Sequence, residues 1–133
     1  MRITLDSSVL IAAYVTRAGA CAELLEEILQ HHELVLSEYI LDEVRRKLTY
    51  KLLFPPRLVA RVVQSLAKAA EIVDPAPLPA ATCRDPADLP VLGTAVAGRA
   101  GLLVSVDKDL LVLQRHTTVD IVRPGEFWSR VAR

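Results

Sequence analysis

Four acids in this chain stand where they could do chemistry together: Asp6, Glu43, Asp88 and Asp107. Asp6 closes the apolar run Ile3-Thr4-Leu5, and Asp107 follows the run Leu102–Ser105. Asp88 opens a helical pattern, and Glu43 borders the apolar stripe of another that includes Ile40 and Val44. Read singly, each has an ordinary use. Asp6, Asp88 and Asp107 suit helix N-termini, and Glu43 suits a solvated helix face. Asp85, before Pro86, reads as a turn former. Gathered at one edge, four carboxylates would repel one another and titrate upward unless a cation neutralised them. Oxygen donors suit a hard divalent ion, and Mg²⁺ uses a few carboxylates while keeping waters for a substrate phosphate. The chemistry such a site supports is hydrolysis of a phosphodiester by metal-activated water. The histidines His31, His32 and His116 and the thiols Cys21 and Cys83 lack the paired spacing of a soft-metal site. No glycine-rich phosphate loop appears, which argues against a nucleoside-triphosphate engine.

The elements that must position these acids alternate. A short strand Ile3–Leu5 ends on Asp6, and Ser7 or Ser8 is placed to cap a helix through Val9, Leu10 and Ile11, with Gly19 ending the region. Ala20–His31 carries a helical stripe, with Cys21, Leu24, Leu25, Ile28 and Leu29 predicted inward. Leu34–Leu36 reads as a strand, Ser37 as the cap of the helix bearing Glu43, and Pro56 as the start of a helix with Val59, Val62, Val63 and Leu66 inside. Glu71–Val73 suits a third strand, and Pro75, Pro77 and Pro79 a surface connection. A helix capped by Asp88 and closed near Gly98 leads to the buried strand Leu102–Ser105. A short helix with Leu110, Leu111 and Leu113, a strand Val119–Val122 and a terminal helix with Trp128 complete the order. Short apolar strands alternating with amphipathic helices predict an α/β fold whose mostly parallel sheet is covered on both faces. Ligands of such sheets sit beyond the carboxyl ends of the strands. Asp6 and Asp107 would both stand there.

Composition narrows the class. The chain has 133 residues, 52% hydrophobic, which predicts one compact domain over residues 1–133 and excludes a disordered linker. Aromatics at 5% argue against a base-stacking sheet of the RRM or OB kind. No signal-type stretch precedes Asp6 and no apolar run is long enough to span a bilayer, so a cytoplasmic protein with no membrane partner is expected. The net charge is zero, but the charges are segregated. Between Arg17 and Arg45 the Lys, Arg, Asp and Glu residues are all acidic; between Glu43 and Glu71 they are all basic. Arg45, Arg46, Lys47 and Lys51 follow Glu43 closely. They suggest a phosphate-binding wall beside the acids, the alternative being two solvated faces that attract each other or a partner.

Three passages resemble the PIN-domain ribonucleases, and among them the toxin-like branch related to VapC-type toxins. They are Leu5-Asp6-Ser7-Ser8-Val9-Leu10-Ile11, Ser37-Glu38-Tyr39-Ile40-Leu41-Asp42-Glu43-Val44, and the stretch Asp85–Ala95 followed by Leu103–Leu111. The resemblance implies a three-layer α/β/α fold with Asp6, Glu43, Asp88 and Asp107 as the metal-binding and catalytic quartet for Mg²⁺ or Mn²⁺. Ser105 stands where the family often has Thr near the metals, and Asp109 is a candidate auxiliary ligand, the alternative being helix capping or surface charge. Ser8 stands where many members have Asn, and Val106 where members usually have Gly. The implied activity is metal-dependent endonucleolytic cleavage of RNA leaving 5′-phosphate and 3′-hydroxyl ends. A small antitoxin would cover the site, and the protein would be a homodimer. Two other readings stay open. A non-catalytic PIN-like module would keep the basic stretch and bind RNA or a partner while holding metal poorly. A receiver-like phosphoacceptor domain would want paired acids beside the first strand and a lone acceptor after a middle one, and neither is evident.

Overall fold

The computed structural model describes residues 1–16 and 19–131. Six strands form one sheet in the order β3-β2-β1-β4-β6-β5: β1 Arg2–Leu5, β2 Glu33–Leu36, β3 Glu71–Ile72, β4 Leu102–Val104, β5 Arg115–His116 and β6 Val119–Val122. All pairs are parallel except β5–β6. Consecutive residues of the central strands, Ile3, Thr4 and Leu5 in β1 and Leu102, Leu103 and Val104 in β4, are all buried. Neighbouring strand residues point to opposite faces, so this burial requires helices on both sides. The architecture is three-layer α/β/α, as expected from the alternation.

The helices follow their stripes. They are α1 Ser7–Val15, α2 Ala20–His31, α3 Glu38–Arg46, α4 Pro56–Ala69, α5 Leu89–Ala97, α6 Lys108–Leu111 and α7 Phe127–Val131. Ile40, Leu41 and Val44 of α3 and Val59, Val62, Val63 and Leu66 of α4 enter the core. Ser37 caps α3 through the Ile40 N–H, and Pro56 opens α4. In α2, Leu24, Leu25 and Ile28 are buried and Cys21 half-buried, but Leu29 is 46% exposed. Leu29 sits at the edge of the stripe, one residue beyond Ile28, where the helix turns its face to solvent. At the chain's end Phe127 is the buried anchor, worth about 2 kcal/mol by burial alone. Trp128 stays partly exposed, edge-on to it at 5.1 Å.

Three features differ from the sequence pattern. Neither Ser7 nor Ser8 caps α1; Asp6 does, the ordinary use its position offers, with its Oδ1 accepting the Ser7 N–H at 2.7 Å. Asp88 makes no side-chain cap; Asp85 accepts the Ala87 N–H instead and opens the 3₁₀ turn Pro86–Asp88. After α3 the backbone widens into a π-helical turn, Lys47–Lys51, which shifts the helix phase just past Glu43. Gly98 has an ordinary negative φ, so its use is steric: a Cβ there would come within 2.2 Å of Val35 Cγ1. Among the described residues no single helix is long and apolar enough to cross a membrane.

Candidate metal centre

Strand register brings the first and fourth acids together. β1 and β4 are parallel with Leu5 opposite Val104, so the residues that follow them, Asp6 and Ser105, leave the sheet at the same level. The Asp6 N–H donates to the Val104 carbonyl, and the Ser105 hydroxyl donates to Asp6 Oδ2 at 2.8 Å. Ser105 Oγ also accepts the Asp107 N–H at 2.9 Å, which turns the chain so that Asp107 caps α6 through the Asp109 N–H. Both oxygens of Asp6 are therefore pinned, one by Ser7 and one by Ser105, and the residue is 7% exposed. Ser105, flagged only as a residue near the metals, is the hinge of this arrangement.

Glu43 enters from α3 and Asp88 from the 3₁₀ turn that precedes α5. Burial pushes the Glu43 carboxyl up, as does the charge of Asp6, while Lys47, Ser7 and Arg46 draw it back. Asp88 is 6% exposed, and burial, then the adjoining Asp107, then Asp85 and Asp6 push it up to about 7. Asp6 thus acts on both Glu43 and Asp88, and Asp107 acts on Asp88. Glu43 Oε1 and Asp88 Oδ2 are buried with no hydrogen-bond partner. A buried carboxylate oxygen left unpaired is costly, and either protonation, which the raised pKa values favour, or a bound cation relieves it. An all-oxygen donor set with two oxygens free to coordinate fits Mg²⁺ or Mn²⁺ and does not fit a soft metal.

The four basic residues read from the sequence part company. Lys47, at the start of the π turn, reaches back to α1, its Nζ donating to Ser7 Oγ at 2.8 Å and to Ser8 Oγ at 3.3 Å. Arg46 acts on Glu43 electrostatically. Arg45 is engaged by Asp42 three residues before it, and Lys51 lies further along the turn. Among the described residues, Arg45–Asp42 is the one ion pair joining the acidic stretch to the basic one. The two stretches do not neutralise each other.

A family model described as PIN domain matches residues 2–109, a span that holds all four acids. The chain belongs to the PIN domain family. The fold of this PIN domain is also similar to that of a chain in the crystal structure of VapBC2 from Rickettsia felis bound to a DNA fragment from their promoter. The TM-score is 0.66 at 14% identity, covering 92% of this chain and 98% of that one. No curated protein matches its sequence.

The PIN domain carries residues at this edge that sequence reasoning underrated. Asp85 forms the turn its place before Pro86 predicts and also brings a carboxylate oxygen within 4.8 Å of oxygens of Asp88 and Asp109. Its signal in the sequence was the spacing Asp85-Pro86-Ala87-Asp88, in which a tight turn returns the first acid toward the second. Cys83 is buried beside the same acids. Burial first, then the charges of Asp88, Asp107, Asp109 and Asp85, push its thiol up and keep it protonated and unreactive. Tyr39 donates its hydroxyl to the Ala87 carbonyl at 3.0 Å, tying α3 to the turn that presents Asp88. Among the described residues, Asp85, Asp88 and Asp109 are the acids whose carboxylate oxygens come within 4.8 Å of one another as a group of three, while Asp6 and Asp107 act on Asp88, and Asp6 on Glu43, from outside that group.

Proposed function

We propose that this PIN domain is an endoribonuclease dependent on Mg²⁺ or Mn²⁺, and the toxin component of a toxin–antitoxin pair. The observation that carries the reading is the pair of buried, unpartnered oxygens, Glu43 Oε1 and Asp88 Oδ2, among carboxylates at the carboxyl edge of a parallel sheet. Membership of the PIN domain family and the shared fold with a chain of a VapBC2 complex support it. Asp6, Glu43, Asp88 and Asp107 would hold the ion, with Asp109 and Asp85 at the rim. A divalent ion there supplies positive charge that polarises a phosphoryl oxygen and acidifies water.

The chain's own groups do the rest. Ser7 and Ser105 lock the Asp6 carboxylate in one orientation, so no reorganisation is needed when charge develops nearby. Lys47, held over Ser7 and Ser8, offers an ammonium to a phosphate that lies across the acids. Arg46 and Lys51 extend that positive wall along the RNA backbone, and Arg45, engaged by Asp42, contributes less. An antitoxin would act by covering this edge, and the working form would be a homodimer in the cytoplasm.

Cleavage of mixed single-stranded RNA with Mg²⁺, with Mn²⁺ and with EDTA tests the reading, wild type beside Asp6→Asn. Cuts should require metal, carry 5′-phosphate ends, and fall on the order of a hundredfold or more in the variant. Equal cutting by both proteins would sink the assignment.

A further inference from the structure

α1 is an unusual surface helix. Its residues Ser7–Val15 include no charged side chain, and a helix apolar on every side is normally covered on every side. Val9, Leu10 and Ala13 are covered by the core. The stripe Ser8, Ile11, Ala12 and Val15, spaced i, i+3, i+4, i+7, instead lines an open groove of about 420 Å³. Leu52, just beyond the π turn, closes its far side. Val15 and Leu52 are 46% and 43% exposed. The groove is within the size range of small-ligand sites.

Its polar rim says what belongs there. Lys47 and Lys51 line it, and neither forms an ion pair among the described residues. Ser8 lines it too, and the Ser8 and Lys47 contacts join the groove to the metal centre through Ser7. An apolar floor flanked by two unpaired ammonium groups suits a flat apolar body bearing phosphates. We propose that this groove is a nucleobase subsite, taking the base of a ribonucleotide whose phosphate lies at the acids. It rests on the nuclease reading and adds to it where a base is held. The base face packs on Ile11, Ala12 and Val15 against Leu52, Lys47 and Lys51 hold the phosphates on either side, and Ser8 Oγ meets the base edge or ribose. The floor is aliphatic, so it meets a base by apolar contact and offers no hydrogen-bond readout that would choose among bases.

Nucleoside 5′-monophosphates have no internucleotide bond to cut and can be titrated with Mg²⁺ present. We expect adenosine and uridine 5′-monophosphate to shift the amide NMR signals of Ile11, Ala12 and Leu52 and to bind at least tenfold tighter than ribose 5-phosphate. Ala12→Trp should fill the groove and bring nucleotides down to the ribose 5-phosphate level with Mn²⁺ affinity unchanged. Leu52→Ser, at an exposed position, should lower the ratio if Ala12→Trp fails to fold. Equal affinity for nucleotide and ribose 5-phosphate would overturn the subsite, as would a groove that ignores nucleotides and takes up only an apolar peptide. RNA cleavage by wild type separates the two readings. Cleavage with no base effect removes the subsite alone, and nucleotide binding in the groove without any RNA cleavage removes the nuclease reading alone.

Discussion

Asp88 is a carboxylate that the fold holds where its neutral form is favoured: burial, Asp107, Asp85 and Asp6 raise it to about 7. An unfolded aspartate titrates near ~3.9. Between those values the folded chain binds more protons than the unfolded one, so in EDTA stability should fall as pH rises from about 4 to about 7, then level off. Asp88→Asn removes that slope and should leave the metal-free protein more stable than wild type at pH 8. Asp6 behaves differently. Its two oxygens accept from Ser7 and Ser105, and an amide offers only one acceptor. Asp6→Asn should therefore cost about 1 kcal/mol. Thermal unfolding of the three proteins in EDTA across pH 4.5–8 distinguishes the sites, and a flat wild-type profile would show Asp88 to be solvated.

At the scale of elements, the phase of α3 decides which cations face the acids. The Lys47 N–H still bonds the Glu43 carbonyl four residues back, so Lys47 lies one helical turn beyond Glu43 and reaches Ser7 and Ser8, whereas Arg45, two residues earlier, meets Asp42. Lys47→Gln should lower the log–log dependence of RNA affinity on salt by about one unit, and Arg45→Gln should leave it nearly unchanged. Equal slopes for both variants would place the RNA elsewhere. α5 is held by a close approach: a Cβ on Gly93 would stand 2.4 Å from the Ala76 carbonyl oxygen, which is backbone and cannot swing aside. The Gly93 carbonyl also accepts the Ala76 N–H at 2.9 Å. Gly93→Ala should destabilise by about 1–3 kcal/mol. It should also weaken Mn²⁺ binding, because Asp88 stands directly before α5. Chemical denaturation and metal titration read the two effects separately.

Over the whole molecule, the sheet sets charge against charge at one edge and a cation would relieve it. Metal binding to the folded state alone raises stability by RT ln(1 + [L]/Kd), about 2.7 kcal/mol at a hundred times Kd. Mn²⁺ should accordingly raise the thermal midpoint of wild type, and a Glu43→Gln/Asp88→Asn double variant should show no rise. An equal shift in both would mean that the ion binds outside these acids.

Strands β1–β4 and β6, the stripes of α3 and α4, the Ser37 cap and the acids after β1 and β4 were legible in the sequence. Each follows from periodicity or capping within a few residues of itself, as with Ile40-Leu41-Val44 beside Glu43. The short antiparallel β5, the π turn and the exposure of Leu29 were not, because they depend on what lies across from them. Only the tertiary structure decided that Ser105 pins Asp6, 99 residues earlier, that Asp85 turns back on Asp88 and Asp109, and that Lys47 faces the acids while Arg45 does not. Local sequence sets the period of a segment and its ends. Which side chains share a dielectric and a charge is set by parallel register and helix phase, which no single segment contains.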